Sequence, residues 1–259
     1  VKFWKPPPPT MDSGQPGVEP AFWAEKKDSL PMFPADTKTF YDTNGYVVAE
    51  RLFDNGQLDE VRARVEAIIA DPDSAPDGVL VSRESDTEPA AESANVRGSM
   101  VRGIAFLARF DPFFSELART PKLLALVRSL IGPRIKLFRD SALLKPPGGQ
   151  AKPLHQDQSY FQVQPMDDLV TAWLALDEAT EANGCMQYVP GSHQHGVFPV
   201  DHDPQCPVHH VPQTGDLWLP PAVTCPVPAG SVIFHHGCTL HTSADNNTDT
   251  WRKALIMHF

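Results

Sequence analysis

At 259 residues, with 41% hydrophobic and 21% charged side chains, the chain is long enough for one large globular domain with a substantial core. A net charge of −10 argues against a nucleic-acid partner, whose phosphates would be repelled. No apolar run approaches the roughly 18 residues that span a membrane, and Val1-Lys2-Phe3-Trp4-Lys5 leads into prolines instead of a secretory apolar core.

Residues 1–34 are rich in proline and lack periodicity, so they read as an extended, poorly ordered arm ahead of a single domain over 35–259. The first methionine is Met11, and residues 1–10 read as a leader preceding the native start. A short helix is predicted from Thr37 to Asn44, stopped by Gly45, followed by a strand from Tyr46 to Leu52. From Asn55 to Ala70, the apolar residues Leu58, Val61, Val65, Ile68 and Ile69 share one helical face, and Asp71-Pro72 ends that helix. The polar residues 71–99 read as a loop. Asp111-Pro112 and Thr120-Pro121 each pair an N-cap residue with proline at the first helical position, and Gly132-Pro133 closes the second helix. The basic residues Arg119, Lys122, Arg128, Arg134, Lys136 and Arg139 read as a solvated face, or alternatively as a patch receiving an anionic substrate.

After Pro133 short β-rich runs alternate with turn residues: Ile135 to Leu144, Leu169 to Asp177, Cys185 to Val189, Ser231 to Phe234 and Trp251 to Phe259. The expected fold is mainly β with α, a helical N-terminal part supporting a double-sheet jelly roll. Cys185, Cys206, Cys225 and Cys238 lack metal-binding spacing. They read as reduced thiols of a cytoplasmic protein, with disulfides as the alternative.

All ten histidines lie at or after His155, and His155-Gln156-Asp157 is the most informative tripeptide. Residues i and i+2 of a strand share a face, so His155 and Asp157 can present an imidazole and a carboxylate to one metal. His241, 84 residues after Asp157, supplies a second imidazole. Together they form the two-His, one-carboxylate set of non-heme Fe(II) oxygenases, which leaves coordination positions open. Arg252 follows His241 by 11 residues and suits a two-pronged ion pair with the distal carboxylate of 2-oxoglutarate. The turn residues Asp245-Asn246-Asn247 predict a hairpin that returns Arg252 to the metal face, with Ser243 on the same face as His241. His235 and His236 read as packing or hydrogen-bonding residues, with His236 facing away. His193 and His195 offer a cupin-like alternative, a Zn or Mn isomerase site. His202, His209 and His210 could line a substrate pocket or face solvent.

Leu144-Lys145-Pro146-Pro147-Gly148, Pro153 through Asp157, Asn183-Gly184-Cys185-Met186 and Val189 through His193 resemble motifs of the phytanoyl-CoA dioxygenase family. Gly230 through Phe234, His241-Thr242-Ser243 and Arg252-Lys253-Ala254 are similar to its distal motif, so the resemblance covers roughly residues 37–259. It implies a double-stranded β-helix, iron on His155, Asp157 and His241, and 2-oxoglutarate on Arg252. It also implies that Ser243, Trp173 and Gln156 line the cosubstrate or substrate pocket, with Arg102 assisting. The implied cofactors are Fe(II), 2-oxoglutarate and O2, with ascorbate sustaining activity in vitro. The implied activity is hydroxylation of a small organic molecule with release of succinate and CO2. Desaturation, cyclisation or epimerisation at the same site are alternatives, as is a non-catalytic metal-binding jelly roll. Because the chain is acidic, a neutral substrate is expected ahead of an acyl-CoA.

Overall fold

The computed structural model describes residues 31, 33, 35–83, 100–202 and 209–259. Most of the Pro-rich arm, residues 84–99 of the polar loop, and Cys206 lie outside the described residues. The N-terminal half contains α1 (Ala35–Asn44), β1 (Tyr46–Ala49), α2 (Asn55–Ala70), β2 (Leu80–Arg83) and β3 (Val101–Ala105). It continues with α3 (Leu107–Phe110), α4 (Pro112–Ala118) and α5 (Pro121–Ile131). Then come β4 (Arg139–Lys145), β5 (Lys152–His155), α6 (Asp157–Phe161), β6 (Val170–Ala175) and β7 (Met186–Tyr188). The chain ends with β8 (Val200–His202), β9 (His210–Pro212), β10 (Val223–Cys225), β11 (Val232–His236), β12 (His241–Ser243) and β13 (Arg252–His258).

These strands build a seven-stranded sheet in the order β1-β11-β6-β13-β4-β3-β2 and a four-stranded sheet in the order β10-β7-β12-β5, while β8 and β9 pair separately. All pairings are antiparallel. This is the double-stranded β-helix, or jelly roll, expected from the sequence. The central strands β6, β11 and β13 of the larger sheet are buried on both faces, which explains why they are mostly apolar. Val170, Ala172 and Leu174 of β6, with Val232 and Phe234 of β11, pack against α2, α4 and α5. The alternate residues Trp173, Ala175, Ile233, Ala254 and Ile256 face inward, toward Met186 and Tyr188 of the smaller sheet. Full burial of each large apolar side chain in these layers contributes about 1.5–3 kcal/mol.

Helix α2 matches its predicted bounds, and Leu58, Val61, Val65 and Ile68 form its buried face. Asp54 caps it, accepting from the Gln57 N–H, while the Gln57 side chain accepts from the Asp54 N–H. Its polar side clamps the end of the larger sheet. Arg62 Nε donates to the Leu176 carbonyl at 2.8 Å, and Lys253 Nζ pairs with Glu66 at 2.5 Å. The latter contact steadies the start of β13, next to Arg252.

Four expectations need correction. The loop expected over 71–99 contains strand β2, which is short and pairs only with β3, so it carries little apolar signal. Pairing of Ile135 through Leu144 begins only at Arg139. The Thr120 hydroxyl does not cap α5 but turns back to the Leu117 carbonyl. The solvated-face reading of the basic residues also fails in part. Lys122 is buried, donating to Gln57 at 2.8 Å and lying over the Phe53 ring, and Arg139 lines the central cavity.

Candidate metal centre

His155 ends β5 and His241 opens β12, and the two are direct partners across the smaller sheet. Their rings lie 4.1 Å apart, centroid to centroid. Asp157 begins α6 two residues later, and its Oδ1 sits 3.9 Å from His155 Nε2 and 3.7 Å from His241 Nε2. Among the described residues, only these three bring three ligand atoms within 4.8 Å of one another.

The protonation pattern suits a cation. His155 Nδ1 lies 2.8 Å from the Pro153 carbonyl and His241 Nδ1 lies 2.9 Å from the Thr239 carbonyl. A carbonyl can only accept, so Nδ1 carries a hydrogen in each ring and Nε2 is the nitrogen that faces Asp157, placed to ligate a metal. Burial, with help from His241 and Lys152, holds His155 well below the ordinary imidazole range, so it is neutral at neutral pH. For Asp157, burial alone would favour the neutral acid. His241, the hydrogen bond from His235 and nearby His258 outweigh that and hold the carboxyl well below its usual range.

The second carboxylate oxygen is fully engaged. Asp157 Oδ2 accepts from the Thr171 hydroxyl at 2.6 Å and from His235 Nε2 at 3.0 Å. His235 Nδ1 then accepts from the Tyr188 hydroxyl at 3.0 Å, and Thr171 Oγ1 accepts from His258 Nδ1 at 2.9 Å. All five side chains are buried. The effect is to turn Oδ1 alone toward the two Nε2 atoms.

The triad lines a cavity of about 510 Å3 that also contains Arg252, Ser243, Trp173 and Arg102. Arg252 is only 4% exposed, its guanidinium lies 5.4 Å from the Trp173 ring centroid, and its Nε has no hydrogen-bond partner. It forms no ion pair among the described residues. Burial brings its pKa down to about 10, which still leaves a cation at neutral pH. Isolated buried charges are costly, so this arrangement fits an incoming anion. Lys145, the register partner of Arg252, is also buried and donates to Ser243 Oγ at 3.0 Å and to the Ala244 carbonyl.

Some predicted positions differ in detail. Asp157 does not reach the metal face by strand alternation, because β5 ends at His155 and the chain turns into α6. The return to Arg252 is not a hairpin either. Strand β12 lies in the smaller sheet and β13 in the larger, so the turn crosses between sheets and brings Arg252 in from the opposite wall. Buried Asn246 fixes that crossing by donating to the carbonyls of Lys145, Pro146 and Thr250. Gln156 does not line the cavity. Its side chain points the other way from its neighbours, donating to the Gly196 and Cys238 carbonyls and accepting from the Phe198 N–H. Among the described residues His193 and His195 join no metal cluster, and His193 instead meets His236 at 5.2 Å on the far side of β11. His209 lines the cavity, while His210 stacks on Tyr160 at 4.1 Å and meets the ring of the exposed His202 edge-on at 5.3 Å. Sequence reasoning missed the roles of Thr171, Tyr188, His258 and Lys145. Strand parity could have flagged two of them, since His258 and Thr171 are register partners on the inward face.

A family model described as phytanoyl-CoA dioxygenase matches residues 41–254. A Caenorhabditis elegans protein described as a probable phytanoyl-CoA dioxygenase is 29% identical over 242 residues, which cover 88% of this chain and 75% of that protein. Among solved structures, the non-heme α-ketoglutarate-dependent carbocyclase SnoK from nogalamycin biosynthesis superposes with a TM-score of 0.67 at 24% identity, covering 87% of this chain and 83% of that one. EctD from S. alaskensis with bound Fe also gives 0.67, at 21% identity, covering 94% of this chain and 82% of that one. At these identities the two structures establish a shared fold.

Proposed function

Since the chain belongs to the phytanoyl-CoA dioxygenase family of Fe(II)- and 2-oxoglutarate-dependent oxygenases, we propose that His155, Asp157 and His241 hold its iron and that Arg252 holds the cosubstrate. The observation that carries this reading is the convergence of His155 Nε2 and His241 Nε2 on one oxygen of Asp157, while the other oxygen is occupied by Thr171 and His235. That donor set fits a ferrous ion with open positions. When bound, iron and 2-oxoglutarate supply the oxidising power, with O2 as the oxidant.

The protein's own contribution is geometry and dryness. Arg252 pairs through its guanidinium with the distal carboxylate of 2-oxoglutarate, and Ser243, itself held by Lys145, donates a further hydrogen bond to it. Trp173 forms the wall beneath the guanidinium. Ile256 and Met186 keep water from the reacting face. Arg102 adds positive charge on the same side, consistent with its influence on Arg252. Residues 35–259 act as one catalytic domain. The described cysteines are free thiols, which supports a reducing compartment such as the cytoplasm. No described helix is long and apolar enough to cross a membrane.

Hydroxylation of a small organic molecule is the outcome this site supports most directly. Likeness to a carbocyclase gives cyclisation as a second outcome at the same centre. The test is succinate formation with Fe(II), ascorbate and 2-oxoglutarate across a broad substrate panel, with product masses recorded. Turnover should vanish in His241→Ala, and Arg252→Gln should raise the KM for 2-oxoglutarate by about 100-fold, as expected for removing one partner of a buried charge pair. The reading fails if folded, metal-loaded protein consumes no 2-oxoglutarate with any substrate and His241→Ala binds iron as the wild type does.

A further inference from the structure

The cavity carries the opposite charge to the chain. The whole sequence has 32 Asp and Glu against 22 Lys and Arg. The cavity is lined by five Lys or Arg side chains, Arg102, Arg139, Lys145, Lys152 and Arg252, and among the described residues by one carboxylate, Asp157.

The cations also sit far apart on the cavity floor. Strands β4 and β13 pair in register from Lys145↔Arg252 to Arg139↔His258. Arg139, Ser141, Leu143 and Lys145 are the cavity-facing alternate positions of β4. Arg139 and Lys145 are six residues apart, so their backbones lie about 20 Å from each other at the rise of an extended strand. A five-carbon diacid is roughly 6 Å long, given carbon–carbon bonds near 1.5 Å. It cannot serve both poles. Between them the floor is apolar at Leu143 and Ile256.

Arg139 is a built feature. Its guanidinium lies 5.1 Å from the Phe106 ring centroid and 5.9 Å from that of Phe161. Phe161 is braced edge-on by Phe138 at 5.2 Å and by His258 at 4.8 Å. Phe106 has φ of 68°, a left-handed conformation that costs a bulky residue about 1–2 kcal/mol. Asp140, next in sequence, turns away and accepts from the Ala108 N–H at 3.1 Å. Among the described residues Arg139 has no carboxylate within ion-pair distance. A guanidinium held against ring faces keeps its in-plane N–H edge available for a planar anion.

We propose that Arg139 receives the carboxylate of the substrate, which is an organic acid with an apolar or aromatic body lying between the two cationic poles. The proposal rests on the assignment of Arg252 to 2-oxoglutarate, and it reverses the neutral substrate expected from overall charge. It is tested by calorimetric titration of anaerobic protein loaded with Fe(II) and then 2-oxoglutarate. The probes are octanoate and 3-phenylpropanoate, each beside its uncharged amide, with octanoyl-CoA as a further arm. The acids should bind saturably and at least about 10-fold tighter than the amides, in line with a charge-assisted pair. Arg139→Gln should erase that difference while leaving 2-oxoglutarate affinity within about twofold, since the poles are independent. Arg139→Lys should restore part of it. The proposal is overturned if amides match the acids, if no acid binds, if octanoyl-CoA binds tighter than octanoate and keeps its affinity in Arg139→Gln, or if Arg139→Gln weakens 2-oxoglutarate as Arg252→Gln does. Absence of 2-oxoglutarate binding in the wild type would be seen at the first titration and would overturn the underlying site assignment too.

Discussion

A carboxylate that is to bind metal through one oxygen needs its other oxygen occupied, and here Thr171 and His235 do this. His235→Phe removes one donor and leaves the ring volume. It should weaken Fe(II) affinity by about 10- to 100-fold, the usual effect of losing an outer partner of a metal ligand, as measured by competition with a chelating dye. Unchanged affinity would reduce His235 to a packing residue. Arg252 makes a pH prediction whose sign follows from its lowered pKa. The guanidinium must be charged to pair with a carboxylate and loses its proton as pH rises through about 10. The KM for 2-oxoglutarate should therefore be flat across neutral pH and climb above about 10, earlier than for an ordinary arginine. The triad and Arg252 were legible in the sequence because residue type and spacing are enough to suggest them. Tyr188 and Lys145 were not, because their roles depend on which strands lie opposite, and Gln156 was misread because a helix start redirected its side chain.

At the scale of elements, helix α2 and the β11–β13 region hold the site in place. Leu58 is fully buried under the larger sheet, and Leu58→Ala should cost about 2–5 kcal/mol in chemical denaturation. Gly230, at φ of 84°, leads into β11, and a Cβ there would overlap the Phe53 carbonyl oxygen. Gly230→Ala should therefore destabilise by more than the small change in volume suggests, whereas an alanine at the open Gly132 would meet only the strain of its φ of 86°. Helices α2 and α5 were readable because Asp71-Pro72, Pro121 and Gly132 mark their ends and apolar residues repeat along one face. Strand β2 was not readable, since Leu80-Val81-Ser82-Arg83 is polar-leaning and owes its form to one neighbour. The β12–β13 connection was misread because turn residues announce a reversal without saying whether the chain re-enters the same sheet.

For the whole molecule, the jelly roll was legible from many short apolar strands, but the sign of the cavity was hidden by a net charge of −10. A mean over the surface says little about the side chains that face inward from β4 and β13. Because Arg252 is a buried cation, ligand binding should show in global stability. At 100 times its Kd, 2-oxoglutarate with Mn(II) should add about 2.7 kcal/mol, or roughly 5–10 °C in Tm for a domain of this size. Arg252→Gln should lose most of that gain, and an equal gain in the variant would move the cosubstrate elsewhere. The most direct test of the account is iron stoichiometry after anaerobic loading, compared between the wild type and folded His155→Ala, Asp157→Ala and His241→Ala. The account predicts one Fe(II) per wild-type chain and loss of tight binding in all three variants; full occupancy in any two of them would contradict it.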